Sequence, residues 1–194
     1  MQAAILPEIE PVILGIDPGL NGGLAIISNK KKLIATMAMP LNTEKHLDVK
    51  SVMKFLAGHN IENAFIESNS AFPGQGVVSM YNFGRITGQI EGVIETLSIN
   101  LNSVRPKKWQ EISHFAINNR LPPKERSLMA AKKLFPGYDF GDKSVKSNLV
   151  AYSRPHDGIM DAALIAYYGL HVLRKVNNIN IAMNKSREDN DASI

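Results

Sequence analysis

The sequence predicts an α/β fold: one five-stranded mixed sheet with helices on both faces. Three observations predict it. Three short apolar runs near the start, Val12–Asp17, Gly23–Ser28 and Leu33–Met39, are separated by turn residues and read as an antiparallel meander. Two more short runs, Asn63–Glu67 and Asn100–Val104, alternate with helix-length segments, which implies strands joined through helical crossovers. No repeat or internal boundary interrupts the order βββ-α-β-α-β-α-α-α. One domain over residues 12–176 is therefore expected, with residues 1–11 as a flexible lead-in and 177–194 as a polar, disordered tail.

Each element has a local reason. In VILGIDPGLNGGLAII, Pro18 and Gly19 turn the chain, and Gly22 and Gly23 turn it again, between two apolar strands. The same glycines keep side chains away from whatever approaches Asp17. Leu47–Leu56 carries apolar residues at helical spacing and Gly58 suits its C-cap. Val77–Leu97 reads as a long helix with Gly84, Gly88 and Gly92 on one face. Each glycine costs about 1 kcal/mol against Ala there, so a close neighbour is implied. A strand, a helix or a second subunit would serve, and packing within the monomer is the preferred reading. Lys107–Ile117 and Pro123–Leu134 are helices, the second with Pro122 and Pro123 at its start. Residues 136–153 are irregular. The final helix spans Pro155–Val176, with Ser153 as N-cap and Pro155 in the first turn.

Composition narrows the function. The 194 residues are 44% hydrophobic and contain no cysteine, which removes disulfides, thiolate catalysis and cysteine-based zinc sites. No apolar run approaches the roughly 20 residues of a membrane span, and the first eleven residues lack the basic start of a signal peptide. An intracellular setting is expected: cytoplasm or nucleoid, or an organelle or infected-cell DNA compartment. The formal net charge is +4, but Val104–Lys146 holds ten basic residues against four acidic ones. That segment alone exceeds the charge of the whole chain. Such a segment suits a polyanion; a solvated helical face would carry the same charges.

The carboxylates sharpen the reading. Asp17 ends the first strand and Glu67 the fourth. If those strands are parallel neighbours, both acids reach one sheet edge. The last helix opens HDGIMD, so Asp157 and Asp161 sit i, i+4 on one helical face. Four acids meeting at one place repel unless divalent cations bind. Hard cations such as Mg²⁺ take oxygen ligands, and two of them can hold the attacking water and the leaving oxygen of a phosphodiester.

The motifs IDPGLNGG, FIES, the glycine-bearing helix, PKKW, KERSLMAAKKLFP and HDGIMDAALIAYYG together resemble the RuvC-type Holliday junction resolvases, particularly their phage and plastid-like branch. The resemblance runs from about Ile13 to Gly169. It implies an RNase H-like fold, a homodimer, and paired nicking of four-way DNA junctions with two Mg²⁺ ions per site, Mn²⁺ substituting. By motif position Asp17, Glu67, Asp157 and Asp161 match the metal-binding acids. The bacterial branch commonly spaces the last two i, i+3, where this chain has i, i+4. His156 either positions a water or phosphate or caps the helix. Lys124 is a candidate for stabilising the transition state. Arg105, Lys107, Lys108, Lys124 and Arg126 are expected to contact DNA. The family inserts an aromatic into the junction, for which Phe72 is the candidate alongside Tyr81 and Phe83; core packing is the preferred reading for the latter two. Trp109 reads as a core anchor.

Other classes remain. A sugar-kinase- or actin-like ATPase also begins with an IDxG hairpin, but needs a second domain that 194 residues do not hold. A non-catalytic junction binder has no use for four repelling acids. An RNase H-like nuclease with another target, such as a transposase fragment or an RNA–DNA hybrid nuclease, stays open.

Overall fold

A computed structural model describes residues 10–68, 74–141 and 155–191, with side chains described as far as residue 181. Strands β1 (Val12–Asp17), β2 (Gly23–Ser28), β3 (Leu33–Ala38), β4 (Ile61–Glu67) and β5 (Asn100–Val104) form one sheet in the order β3-β2-β1-β4-β5. β1 pairs antiparallel with β2 and parallel with β4, and β4 pairs parallel with β5. The expected mixed sheet is therefore present, and the two strands that end in acids are parallel neighbours.

Helices α1 (Val49–Leu56) and α2 (Val77–Thr96) cover one face. Helices α3 (Pro106–Ser113), α4 (Pro123–Leu134) and α5 (Asp157–Asp191) belong to the other. The period-two alternation of the strands sorts their side chains between two cores. Leu14, Ile16, Ala64 and Ile66 pack toward α1 and α2. Ile13 and Phe65 pack toward α5. Counting on from Ile13 and Phe65, Asp17 and Glu67 inherit the α5 face.

The boundaries shift for local reasons. α1 starts at Val49 because Asp48 is its N-cap, accepting from the Ser51 N–H at 3.3 Å and the Ser51 hydroxyl at 2.7 Å; Leu47 instead bridges Leu41. β4 starts two residues earlier than expected, at Ile61, beside Val12. α3 ends at Ser113, and Ala116 beyond it has φ 61°. α5 continues past Val176 to Asp191; no Gly or Pro follows Gly169 to stop it. Ser153 lies outside the described residues. The cap position belongs to His156, whose Nδ1 accepts from the Ile159 N–H at 3.3 Å.

α5 lies unusually close to the sheet because glycines meet it. A Cβ on Gly15 would fall 2.0 Å from the Ala162 carbonyl oxygen, and one on Gly23 would fall 2.7 Å from the Gly158 carbonyl oxygen. A Cβ on Gly158 would in turn be 2.2 Å from the Asn21 carbonyl oxygen. Gly23 thus serves the seat of the helix start, and Gly22 serves the turn itself, where a Cβ would fall 1.9 Å from the Asp17 carbonyl oxygen. The α2 glycines behave oppositely to the preferred expectation. A Cβ at Gly84, Gly88 or Gly92 would meet nothing within 4 Å, so among the described residues nothing packs on this face.

Candidate active site

The four acids converge where β1 and β4 end against the start of α5. Asp17 is opposite Gly23 in the β1–β2 register, and Glu67 is opposite Val104 across β4–β5. Asp157 opens α5 and Asp161 follows one turn later. Burial holds the Asp17 carboxyl well above the usual carboxylate range, and the charges of Asp161, Glu67 and Asp157 push the same way. Burial raises Asp161 to about 6. A hydrogen bond from the Ser127 hydroxyl and the charge of Lys124 oppose that rise, while Glu67 and Asp157 add to it. β1 and β4 are parallel neighbours and the start of α5 lies against the β1–β2 turn at Asn21 and Gly22, so the backbone brings all four acids to one edge.

Cations partly answer the charge. Lys124, at the start of α4, places Nζ 2.5 Å from Asp157 Oδ2. Its side chain is largely exposed. Together with Glu125, Leu128, Pro155, Asp157 and Met160 it lines an open groove of about 530 Å³. A larger groove of about 600 Å³ lies further along α5, at Lys31, Tyr167, His171 and Arg174, and no acid lines it.

The donor set fits hard divalent cations in kind. It is all oxygen and net negative, and Asp161 Oδ1 is buried without a hydrogen-bond partner among the described residues. An orphaned carboxylate oxygen beside three other acids is the atom a cation would satisfy. Among the described residues no three acidic or imidazole groups are already drawn together as a cage.

The other sequence-predicted residues divide. Arg105 is the N-cap of α3, at the edge where Glu67 ends, and Arg105, Lys107 and Lys108 are exposed. Lys108 lines a groove with Tyr168 and Lys175 on the α5 side. Arg126 is half-buried, with Nε unpartnered among the described residues and its charge acting on His114. His156 takes the capping alternative at Nδ1. Phe72 lies outside the described residues. Tyr81 is 65% exposed, with the Arg85 guanidinium 5.3 Å from its ring centroid, so the core-packing expectation does not hold for it. Phe83 is half-buried beside Gly19.

Trp109 is the residue that sequence reasoning undervalued. It is buried, as a core anchor should be, yet its Nε1–H donates to Glu67 Oε2 at 2.6 Å. The available signal was that a buried indole needs an acceptor and that PKKW directly follows β5, the neighbour of the strand carrying Glu67.

A mixed sheet in this order, with acids ending its central parallel pair and on the helix that crosses it, defines the RNase H-like class of α/β fold. Solved structures of RuvC-type resolvases share it. The Thermus thermophilus RuvC bound to a Holliday junction substrate matches with a TM-score of 0.58 at 16% identity, covering 81% of this chain and 91% of that one. A second T. thermophilus RuvC structure gives 0.57 at 16% identity, over 84% and 96%. The yeast mitochondrial Holliday junction resolvase gives 0.54 at 14% identity, over 84% and 80%. No protein-family model matches the sequence, and no curated protein matches it by sequence.

Proposed function

We propose that this chain is a metal-dependent endonuclease that resolves four-way DNA junctions by paired nicks, acting as a homodimer. The observation that carries the reading is the convergence of Asp17, Glu67, Asp157 and Asp161 at one sheet edge, with the Asp161 oxygen orphaned and Lys124 alongside. The fold shared with junction resolvases supports the choice of substrate.

The four carboxylates would hold two Mg²⁺ ions, or Mn²⁺ in their place. When bound, the cations supply Lewis-acid chemistry at the phosphodiester. The chain's own groups do the rest. The negative charge of the carboxylates would be answered by the cations, so that the scissile phosphate could approach the edge. Water then attacks phosphorus and gives up its proton to solvent, while the P–O bond to the 3′-oxygen breaks and that oxygen takes a proton from solvent. Lys124 exchanges Asp157 for the phosphate and stabilises the charge that builds on it. His156 holds the start of α5, and so the direction of Asp157, through its cap. Exposed Arg105 and Lys107 bind flanking phosphates without reading sequence. Among the described residues no helix is long and apolar enough to cross a membrane, in keeping with an intracellular, DNA-acting protein.

The dimer face proposed is α2. Val77, Tyr81, Gly84, Gly88 and Gly92 fall on one exposed side of that helix, where glycines let a second backbone approach closely. Gly88→Trp is expected to convert the dimer to a monomer in light scattering and to uncouple the two nicks. A variant that stays dimeric places the interface elsewhere.

A panel of four-way junction, flap, duplex and RNA–DNA hybrid, each with Mg²⁺ and with Mn²⁺, tests the activity. Symmetric nicks confined to the junction are expected. Preferential cleavage of the hybrid would assign the fold to another nuclease function.

A further inference from the structure

Behind the carboxylate edge lies a second layer that the reaction scheme leaves unused. Trp109, on α3, is 1% exposed and donates its only polar hydrogen to Glu67 Oε2 at 2.6 Å. The His114 ring meets the indole edge-on, centroids 5.6 Å apart at 81°. His114 Nε2 is 3.4 Å from the Ser127 hydroxyl, and Ser127, buried on α4, hydrogen-bonds to Asp161. One contiguous group thus reaches two of the four acids from the protein side.

We propose that Trp109 is a positioning residue for Glu67: its buried indole N–H selects the carboxylate orientation that grips a divalent cation. This rests on the metal-dependent reading above. The chemistry explains the choice of residue. Glu67 stands among like charges and needs something to hold its rotamer. A lysine or arginine would hold it, but would also neutralise it and compete with the cation. An indole is a neutral donor that accepts nothing, so it orients the carboxylate and leaves its charge for the metal. Its seat is close-packed, because Trp109 is buried in the α3–α4–α5 core. Partners of this kind typically govern metal affinity by about 10- to 100-fold.

The chain has a single tryptophan, so the bond has its own spectroscopic signature. In metal-free ¹⁵N-labelled protein one indole N–H resonance is expected at a strongly hydrogen-bonded position, and Glu67→Gln is expected to move it upfield. This leg leaves Trp109 intact and needs no metal. Trp109→Phe keeps the aromatic packing and removes the donor. Its Mn²⁺ affinity, read from free-ion EPR, is expected to fall 10- to 100-fold. The Mg²⁺ concentration for half-maximal cleavage is expected to rise by the same factor, with the rate recovering at saturating Mg²⁺. An indole resonance indifferent to Glu67→Gln overturns the proposal, as does unchanged Mn²⁺ affinity in a folded Trp109→Phe. If the wild-type protein binds no Mn²⁺ while the indole resonance still responds to Glu67→Gln, the metal-dependent reading fails, and the cation role proposed for Trp109 is overturned with it.

Discussion

Asp17→Asn is expected to abolish junction cleavage, by about 10³-fold or more, while making the metal-free protein more stable. The first effect follows from removing one of the four acids proposed to hold the cations, since the charge stabilisation supplied by a bound cation amounts to several kcal/mol and each 1.36 kcal/mol is tenfold in rate. The second follows from electrostatics. Burial and three neighbouring acids hold the Asp17 carboxyl well above its usual range, so the ionised group works against the fold, and a neutral amide of the same shape does not. The pH dependence has a fixed sign. Asp161 is raised from 3.8 to about 6, so the folded state binds its proton more tightly than the unfolded chain. That contribution is fully present below the lower value and is lost as the pH rises through the upper one. Metal-free protein should therefore lose about 2 kcal/mol between pH 4 and pH 6 from Asp161, a figure reduced for partial solvent access. That corresponds to a melting temperature lower by about 4–8 °C. Mg²⁺ should restore it above pH 6 in the wild type and much less in Asp17→Asn. Melting curves at pH 5 and pH 8, with EDTA and with Mg²⁺, provide the check. Equal metal-free stability of the two proteins at pH 8 would show that the acids do not repel as their burial requires.

The parts of this site that repeat with a period were legible in the sequence. An apolar strand ending in an acid announces itself at Asp17 and again at Glu67, while the parallel pairing of β1 with β4 that brings the two ends together was a condition the residues left open and the sheet supplies. The i, i+4 pair on α5 is likewise a local geometric fact. What was not legible depends on contacts between segments distant in sequence. Gly23 and Gly158 meet only because α5 lies on the hairpin turn, and no local pattern distinguishes that use from clearing a substrate path. The three α2 glycines have a helical period but no label saying which surface they meet; only the packed fold shows that no described residue covers that face. Trp109 was recognised as buried, but its acceptor is set by the alignment of β5 beside β4, where Val104 faces Glu67. Arg126 was expected at the DNA from its place in the motif, and the added feature that only the fold supplies is its charge acting on His114.

Lys124→Met is expected to slow cleavage by about 10²–10³-fold while leaving the fold unchanged and tightening metal binding. These three effects separate because Lys124 plays against different partners at different stages. In the metal-free protein its Nζ is 2.5 Å from Asp157 Oδ2, with the lysine side chain 80% and the aspartate 46% exposed. An ion pair that open to water is worth little to stability, so the melting temperature should hardly move. The same pair competes for Asp157 with any arriving cation. A methionine removes both the competitor and a neighbouring positive charge, so Mn²⁺ affinity should rise a few-fold. The rate falls nonetheless, because the groove between Lys124 and Asp157 then has no cation among its described lining residues to meet charge on the phosphate as water attacks. A purely structural lysine would lower stability and affinity together; a simple DNA-binding lysine would weaken junction affinity and leave the single-turnover rate at saturation intact. Calorimetric Mn²⁺ titration beside single-turnover cleavage at saturating enzyme distinguishes the three, and tighter metal binding with slower chemistry is the combination that only an exchanging lysine produces.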